Sequence, residues 1–453
     1  MIGQVIFTVL VVAIAVFSYL KYSVIIRNIR LGKAAEVTGN KGKRLNNMLL
    51  VAFGQKKMFK RPVAAFLHLF IYLAFVITQI ELIEILIDGF SGQHRFFWKM
   101  IGGSGILAGF YTFIISFIEI LSVLALVATF AFLARRNLLK IPRFKKSEMT
   151  GWPTLDANLI LFGELILVTC IFMMNSTDMA MHQNEYGFAI SQFVSPIWMG
   201  SADETLHIIE RIGWWGHIIM VFTFLAYLPY SKHLHILFAF PNTYFARVNQ
   251  NGEMANMPEI QKEVESMMDP NAAFGAPSTE EIPKFGVEDV FDLSWIQIMS
   301  AYTCTECGRC TAVCPANLTG KKLSPRKIMM DVRDRADEIG RHLDANKTEF
   351  IKDSEKDKVS KLTVDNFDDG KSLFDYITHE ELHACTTCNA CVEACPVLIN
   401  PLDIIIGMRR NLILEQSVSP EPWNSMFNTV ENNGACWAFP ADERDKWIAE
   451  AKA

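Results

Sequence analysis

Eight of the ten cysteines in this 453-residue chain fall into two copies of one spacing, C-x2-C-x2-C-x3-C-P. The copies are Cys304, Cys307, Cys310 and Cys314 before Pro315, and Cys385, Cys388, Cys391 and Cys395 before Pro396. In runs of this spacing three thiolates bind one 4Fe–4S cluster and the fourth binds a second cluster. The sequence therefore predicts two clusters that transfer single electrons. Their ligands would be Cys304, Cys307, Cys310 and Cys395 for the first cluster, and Cys385, Cys388, Cys391 and Cys314 for the second.

Zinc and disulfides are the other chemistries open to so many cysteines. Zinc sites use two cysteine pairs per metal and do not require a fourth cysteine followed by proline in each copy. Disulfides persist in oxidising compartments, whereas the topology derived below predicts a cytoplasmic location. Iron–sulfur clusters are therefore favoured. The remaining cysteines, Cys170 in an apolar run and Cys436, are interpreted as buried, inert thiols.

The apolar residues, 51% of the chain, are segregated: residues 1–240 hold nearly all the long apolar runs, and residues 241–453 are polar and charged. The net charge of −5 argues against a nucleic-acid partner. A transmembrane helix needs about 20 apolar residues. Five stretches meet this requirement, at roughly 3–26, 63–87, 106–134, 157–178 and 212–240.

Basic residues predict the orientation of these five spans. Residues 27–61 contain ten Lys and Arg against one acid, and residues 135–156 contain six against two. Residues 175–211 carry one Arg against five acids. Because basic loops remain in the cytoplasm, we expect the N-terminus outside and the C-terminal half in the cytoplasm. In a bacterium this is a multi-pass protein of the inner membrane.

The polar half divides by composition. Residues 241–290 contain Asn-Gly, Asp-Pro and Gly-Ala-Pro-Ser and are predicted to form a linker with few contacts. Residues 291–415 hold both cysteine motifs, and about 70 residues separate the motifs, including a predicted helix from Pro325 to Gly340. Such a separation is typical of α-helical ferredoxin domains. Residues 416–453 form a tail with three tryptophans that could pack on the domain or dock a partner. The predicted fold class is mostly α: a five-helix membrane bundle followed by a cytoplasmic cluster domain.

Three histidines lie within the apolar stretches: His68, His217 and His235. A histidine in lipid is costly unless it is paired or ligated. His68 and His235 are at matching depths near the cytoplasmic side, and could be the two axial ligands of a haem b. His217 and His235 are 18 residues apart, or five turns, and would share a face of one helix unless Pro229 between them kinks it and shifts the register. His233 would point the opposite way.

Other interpretations of the intramembrane polar residues stay open. The histidines could simply form hydrogen bonds between helices. For His68 with His235 haem is favoured; for His217 an interhelical bond or a quinone contact is favoured over a second haem. The carboxyl groups within the spans could mark proton paths or pair between helices. They belong to Glu81, Glu84, Glu119 and Glu164.

The cysteine motifs carry a resemblance to a known family. The segments are Cys304-Thr-Glu-Cys-Gly-Arg-Cys310-Thr-Ala-Val-Cys314-Pro-Ala-Asn with Leu323-Ser-Pro-Arg-Lys327, Cys385-Thr-Thr-Cys388-Asn-Ala-Cys391-Val-Glu-Ala-Cys395-Pro-Val with Asn400-Pro401, and Asn432-Asn-Gly-Ala-Cys-Trp437. Over residues 291–440 they resemble the ferredoxin domain of membrane-bound heterodisulfide-reductase-like proteins. The membrane half more loosely resembles the γ subunit of respiratory nitrate reductase, in which two histidines on the second span and two on the fifth bind two haems. Here His68, His217 and His235 match that pattern and Thr78 stands in the fourth place, so the resemblance implies one haem b and leaves a second open.

The combination of both halves is similar to electron-transfer-flavoprotein:menaquinone oxidoreductases and to heterodisulfide-reductase-like complexes. Those relatives continue into cysteine-rich C-C-G domains, whereas this chain has no adjacent cysteine pair and no G-x-G-x-x-G nucleotide fingerprint. The resemblance therefore implies a cytoplasmic partner: a C-C-G iron–sulfur subunit, an electron-transfer flavoprotein, or both.

The expected function is electron transfer within a quinone-linked membrane oxidoreductase. Electrons would pass between the soluble partner and menaquinone through two 4Fe–4S clusters and haem b. One alternative is the reverse flow, from menaquinol to a disulfide. The other is a membrane iron–sulfur sensor without a quinone site, which would not need haem ligands in lipid.

Overall fold

The structure, a computed structural model, describes residues 1–35, 37, 39–183, 185–249, 252–268 and 284–452, with the side chains of 259, 263, 266 and 441 excepted. It is 69% helical, and no strand occurs among the described residues. Five helices long and apolar enough to cross a membrane precede the domain with both cysteine motifs. The predicted fold class is confirmed in these respects; the orientation in the membrane stays a prediction.

The five membrane helices form a closed ring. They span Ile2–Ile29, Pro62–Ser91, Gly105–Leu138, Trp152–His182 and Asp203–Tyr230. Each packs on the next in chain order, and the fifth also contacts the first. Large apolar side chains cover their outer faces, as expected for surfaces in contact with lipid. The second helix turns at Thr78, between its segments Pro62–Ile77 and Gln79–Ser91.

Two glycines let the fourth and fifth helices approach closely. A Cβ on Gly213 would lie 2.7 Å from the Met174 nitrogen, and one on Gly216 would lie 2.8 Å from Cys170 Sγ. Small residues at such contacts are the usual means of close helix packing in membranes. Cys170 is therefore part of this packed interface.

The fifth membrane helix ends earlier than the sequence analysis predicted. Leu228–Tyr230 is a single 3-10 turn containing Pro229, and Ser231 is extended with φ −120° and ψ 152°. A separate helix, His235–Phe245, follows and includes Pro241 in its interior. The expectation that His217 and His235 share a face of one helix is wrong, because proline ends the hydrogen-bond ladder between them.

The cluster domain consists of short helices around the cysteine loops. Its helices are Trp295–Thr303, Pro315–Leu318, Pro325–Asp344, His379–His383, Ala390–Ala394 and Pro401–Leu414. Side-chain caps explain several starts: Ser294 accepts from the Gln297 backbone, Ser324 accepts from that of Lys327, and Asn400 accepts from that of Leu402. Two of these caps precede a proline in the first turn, where no hydrogen bond is lost.

The membrane bundle and the cluster domain share one hydrophobic core. It includes Ile25 and Ile29 of the first membrane helix together with Leu234 and Phe238. Asn28 donates to Tyr302 Oη at 3.0 Å and to Asp337 Oδ1 at 3.1 Å, both in the cluster domain. The halves are therefore packed as one body rather than joined only by a tether.

The linker and the tail differ in part from expectation. Residues Pro258–Met268 of the predicted linker form a helix, and 269–283 lie outside the described residues. The tail forms the helix Glu421–Asn433, whose Trp423 packs on the His383 ring at 4.8 Å. Cys436 is exposed rather than buried, as are most of its neighbours after this helix.

Candidate iron–sulfur and haem site

The two cysteine loops repeat one backbone conformation. Glu306 and Gly308 have φ values of 52° and 67°, and Thr387 and Asn389, at the same places in the second copy, have 55° and 59°. These left-handed residues curl each loop so that cysteines three apart turn toward a common centre. Glycine, asparagine, glutamate and threonine share this role here, so the spacing of the cysteines is more informative than the identity of the residues between them.

The folded chain brings each fourth cysteine to the other loop. Cys395 lies close enough to interact electrostatically with Cys304, Cys307 and Cys310. Cys314 lies similarly close to the second loop's Cys385 and Cys391, which also interact with Cys388. This is the grouping that the motif predicts, and the two groups are adjacent because Cys310 also interacts with Cys391.

The donor set fits a 4Fe–4S cluster in each group. Burial raises the pKa of Cys304 and Cys391 to about 12 and that of Cys395 to about 11. Four thiols this close together cannot all ionise unless a cationic centre compensates their charge. Bound iron supplies that compensation, since thiolates are its ligands in such clusters.

The first group lies against the membrane half, and the second group reaches the surface at one cysteine. Lys57 interacts with Cys395, and Arg309 interacts with both Cys307 and Cys395. Cys388 of the second group is exposed. The two groups therefore differ in environment, one facing the membrane bundle and the other the surface.

Glu306, within the first loop, ties that loop to the membrane half. Its carboxylate accepts from Lys232 at 2.5 Å and from Arg333 at 2.8 Å. Burial opposes ionisation, but the two cations outweigh it and lower the pKa of Glu306. Lys60 likewise pairs with Glu393 of the second loop. The basic loops that predict the orientation thus lie on the side of the bundle that carries the cluster domain.

His68 and His235 meet at this end of the bundle. They are close enough to interact electrostatically, and His68 also interacts with Arg309 beside the first cysteine group. The Nδ1 of His68 lies 3.1 Å from Gln55 Oε1, and the Nδ1 of His235 lies 2.9 Å from the Lys232 carbonyl oxygen. Donation from Nδ1 leaves each Nε2 free, which is the arrangement of histidines that ligate metals. His68 and His235 are therefore the residues at this end of the bundle that could hold a haem.

His233 belongs to the same group, contrary to the expectation that it points away. Its ring lies 5.8 Å from that of His235 and interacts with His68. The reason is local: Lys232–Leu234 is a 3-10 turn, so positions 233 and 235 do not follow the 100° spacing of an α-helix. Sequence reasoning also missed Gln55, which is buried with φ 49°; no motif marks it.

His217 is far from this group along the bundle and has a partner of its own. Its Nδ1 lies 3.3 Å from the Leu167 carbonyl oxygen on the fourth helix. This is an interhelical hydrogen bond, one of the two roles that the sequence analysis favoured. Thr78 Oγ1 bonds to the Phe75 carbonyl oxygen in its own helix.

Three of the four intramembrane glutamates take part in hydrogen bonds at the opposite end of the bundle. Glu81 accepts from Arg95 at 2.9 Å, and Glu84 accepts from the Tyr111 hydroxyl at 2.7 Å. Glu119 accepts from the backbone of Ile190 at 2.7 Å. Pairing between elements thus accounts for these carboxyl groups.

Comparison with known proteins agrees with the cluster site. Residues 303–399 match the 4Fe-4S dicluster domain family. Over 440 residues the chain is 27% identical to a probable iron-sulfur-binding oxidoreductase, FadF, of Bacillus subtilis, covering 93% of this chain and 57% of that protein. Over 418 residues it is 25% identical to the EtfAB:quinone oxidoreductase of Syntrophomonas wolfei, covering 90% of this chain and 54% of that protein.

A third relative matches a shorter part of the chain. It is one subunit of the Ferredoxin/F(420)H(2)-dependent CoB-CoM heterodisulfide reductase of Methanosarcina acetivorans, 27% identical over 134 residues, which are 30% of this chain and 60% of that protein. No solved structure matches the chain. The chain spans little more than half the length of the first two relatives. The resemblance expected from the cysteine motifs is confirmed: this is a membrane protein with a 4Fe-4S dicluster domain, homologous to iron–sulfur oxidoreductases.

Proposed function

We propose that this chain is the membrane-anchored electron-transfer subunit of a quinone-linked oxidoreductase. The proposal rests on the different surroundings of the two cysteine groups. The first group lies beside His68 and His235, whereas the second group has Cys388 at the surface. When bound, two 4Fe–4S clusters and a haem b supply one-electron chemistry between a soluble redox partner and menaquinone.

The chain's own residues have separate roles in this proposal. Cys304, Cys307, Cys310 and Cys395 hold the cluster nearest the membrane, and Cys385, Cys388, Cys391 and Cys314 hold the other. His68 and His235 would hold the haem, and Gln55 and the Lys232 carbonyl oxygen orient their rings. Positive charge at Lys57 and Arg309 stabilises added electrons at the first site, since nearby charge tunes the potential. For His217, the hydrogen bond to Leu167 favours a structural role over a second haem.

The partner is a cytoplasmic electron-transfer flavoprotein or a C-C-G iron–sulfur subunit. The name of the relative from Syntrophomonas wolfei pairs EtfAB with a quinone, which supports the flavoprotein. The tail, residues 416–453, is a plausible docking surface because Trp437 and Trp447 are 69% and 65% exposed. We place the chain in the bacterial inner membrane with its cluster domain in the cytoplasm, because the basic loops lie on the cluster side.

A second candidate is electron flow from menaquinol toward a disulfide substrate. The match to the heterodisulfide reductase of Methanosarcina acetivorans favours it. A membrane iron–sulfur sensor is the third, and the convergence of His68, His233 and His235 on the first cysteine group counts against it.

A redox titration of the purified chain, followed by optical and EPR spectroscopy, tests the proposal. We expect two 4Fe–4S signals and a bis-histidine haem band that a menaquinol analogue reduces. His68→Ala should remove the band while the iron–sulfur signals persist, and His207→Ala is the matched control because His207 is exposed on the fifth helix. Cofactor-replete protein without the band, or a band that survives His68→Ala, would overturn the haem assignment. Reduction of a disulfide by menaquinol in the native complex would instead select the second candidate.

A further inference from the structure

Three potential metal ligands meet at the end of the bundle opposite the cluster domain. His94 follows the second membrane helix, and Asp178 and His182 lie one turn apart at the end of the fourth. Asp178 Oδ1 is 3.1 Å from His94 Nε2 and 2.7 Å from His182 Nδ1. All three ligand atoms lie within 4.8 Å of one another.

These distances are close to those of a tetrahedral metal site. With metal–ligand bonds of about 2.0–2.1 Å, the ligand atoms of a tetrahedral zinc site are roughly 3.3 Å apart. At this separation, a cation would require the Asp178–His182 contact to lengthen by roughly 0.6 Å and the Asp178–His94 contact by roughly 0.2 Å. The two imidazole rings are stacked with centroids 5.6 Å apart, and each directs a nitrogen at Asp178 Oδ1.

One ligand atom of this group lacks a hydrogen-bond partner among the described residues. The Asp178 side chain is fully buried, and its Oδ2 accepts no hydrogen bond from them; Arg95 Nε is 3.5 Å away. His94 and His182 are 29% and 41% exposed. The buried Asp178 carboxylate, which Arg95 approaches only at the 3.5 Å distance of an ion pair, lies beside two partly exposed histidines and provides an anchor and an entrance for a cation.

The surrounding charge favours a cation. Arg95 is the positive group in contact with Asp178, and it is shared with Glu81 at 2.9 Å and Glu84 at 3.6 Å. Glu185 also interacts electrostatically with His182. Three carboxylates therefore face one guanidinium, with Glu185 as a further negative group beside His182, and a divalent ion would reduce this imbalance when the histidines are neutral.

A comparable group in the cluster domain does not have these properties. Glu338, His342 and Asp369 also approach one another. There, Lys371 and Tyr376 donate hydrogen bonds to Glu338, and Arg335 donates to Asp369 at 2.6 Å. Its carboxylates already have donors, so it does not need a metal ion.

We propose that His94, Asp178 and His182 bind a divalent cation of the zinc class. Two imidazoles and one carboxylate suit such ions and leave a fourth position for water. The ion would join the segment after the second membrane helix to the end of the fourth. The proposal is independent of the electron-transfer function, because the site lies at the other end of the bundle.

The test is a competition titration of Zn²⁺ between a fluorescent zinc indicator and the purified, cluster-replete full chain, with zinc-edge X-ray absorption of the bound ion. We expect one zinc per chain with two imidazole ligands. His94→Gln and His182→Gln should each weaken binding about tenfold or more, since even groups that only support a ligand contribute that much. His207→Gln, at an exposed histidine on the fifth helix, should bind like the unaltered chain.

Unchanged iron content and circular dichroism of the variants would show that they remain folded. The proposal is overturned if folded protein does not bind zinc, in which case Asp178 only bridges two histidines by hydrogen bonds. It is also overturned if His94→Gln and His182→Gln retain full affinity, or if the absorption spectrum shows sulfur ligands, which would place the ion on cysteine.

Discussion

At the scale of single residues, the cysteine loops depend on backbone conformations that only some residues adopt without strain. Gly308 has φ 67°, and a Cβ at this position would lie 2.4 Å from Arg326 Nη1. Arg326 is fully buried and donates to the Arg143 carbonyl oxygen at 2.8 Å and to Glu148 at 2.7 Å. It cannot move aside without breaking these bonds, so the first loop is held both by its own conformation and by the arginine behind it.

We expect Gly308→Ala to lower thermal stability and the iron content per chain. A non-glycine residue in this conformation costs about 1–2 kcal/mol, and the contact with Arg326 adds to that cost. Gly320→Ala is the matched control, because Gly320 has φ 88° but nothing within 4 Å of a Cβ. Equal losses of stability and iron in the two variants would show that the contact with Arg326 is unimportant.

At the scale of elements, the break after the fifth membrane helix positions the His233 and His235 side chains near His68. Asp156, at the start of the fourth helix, accepts from Tyr227 Oη at 2.6 Å and from Ser231 Oγ at 2.7 Å, and accepts from the Lys232 backbone at 3.2 Å. The buried Asp156 carboxylate therefore accepts hydrogen bonds from residues on both sides of the break. The turn is specified by this long-range contact as well as by Pro229.

We predict that Asp156→Ala destabilises the protein by about 3 kcal/mol or more, because it leaves several buried donors without an acceptor. Tyr227→Phe removes one of the same hydrogen bonds and should cost about 1 kcal/mol. Thermal unfolding in detergent, compared between the two variants, measures the difference. If Asp156→Ala lowered the free energy of unfolding no more than Tyr227→Phe does, Asp156 would not be the residue that joins the two sides of the break.

At the scale of the whole molecule, the first membrane helix serves both halves. Its apolar faces contact the second and fifth helices, and its end enters the core of the cluster domain. Gly340 permits the contact, since a Cβ there would lie 2.4 Å from Asn28 Oδ1. The cluster domain is thereby held in a defined position against the bundle, which electron transfer over short distances requires.

Asn28→Ala should loosen this junction while the bundle stays intact. It removes a buried side chain that donates to Tyr302 and Asp337, at a cost of about 1–3 kcal/mol. Hydrogen exchange should become faster in Pro325–Asp344 and remain unchanged in Trp152–His182. Arg30→Ala, an exposed position on the same helix end, provides the control, and the same exchange pattern in both variants would argue against a specific junction.

Several features followed from sequence because they are local. The cysteine spacing predicts a dicluster domain, the length of apolar runs predicts five helices that could cross a membrane, and the residues from Pro325 to Gly340 predict a helix. Each depends on residues close together in the chain, where spacing and hydropathy determine the structure directly.

Tertiary structure alone decided what depends on distant residues. The orientation of His233 depends on residues that are far apart in the chain. The same holds for the hydrogen-bond partner of Lys232 and for the junction at Asn28, so no sequence periodicity predicts these features. Asp178 meets His94 across 84 residues, and the sequence does not mark either as a ligand. Such contacts arise when helices pack against one another, because packing, not local propensity, determines which polar groups are buried together.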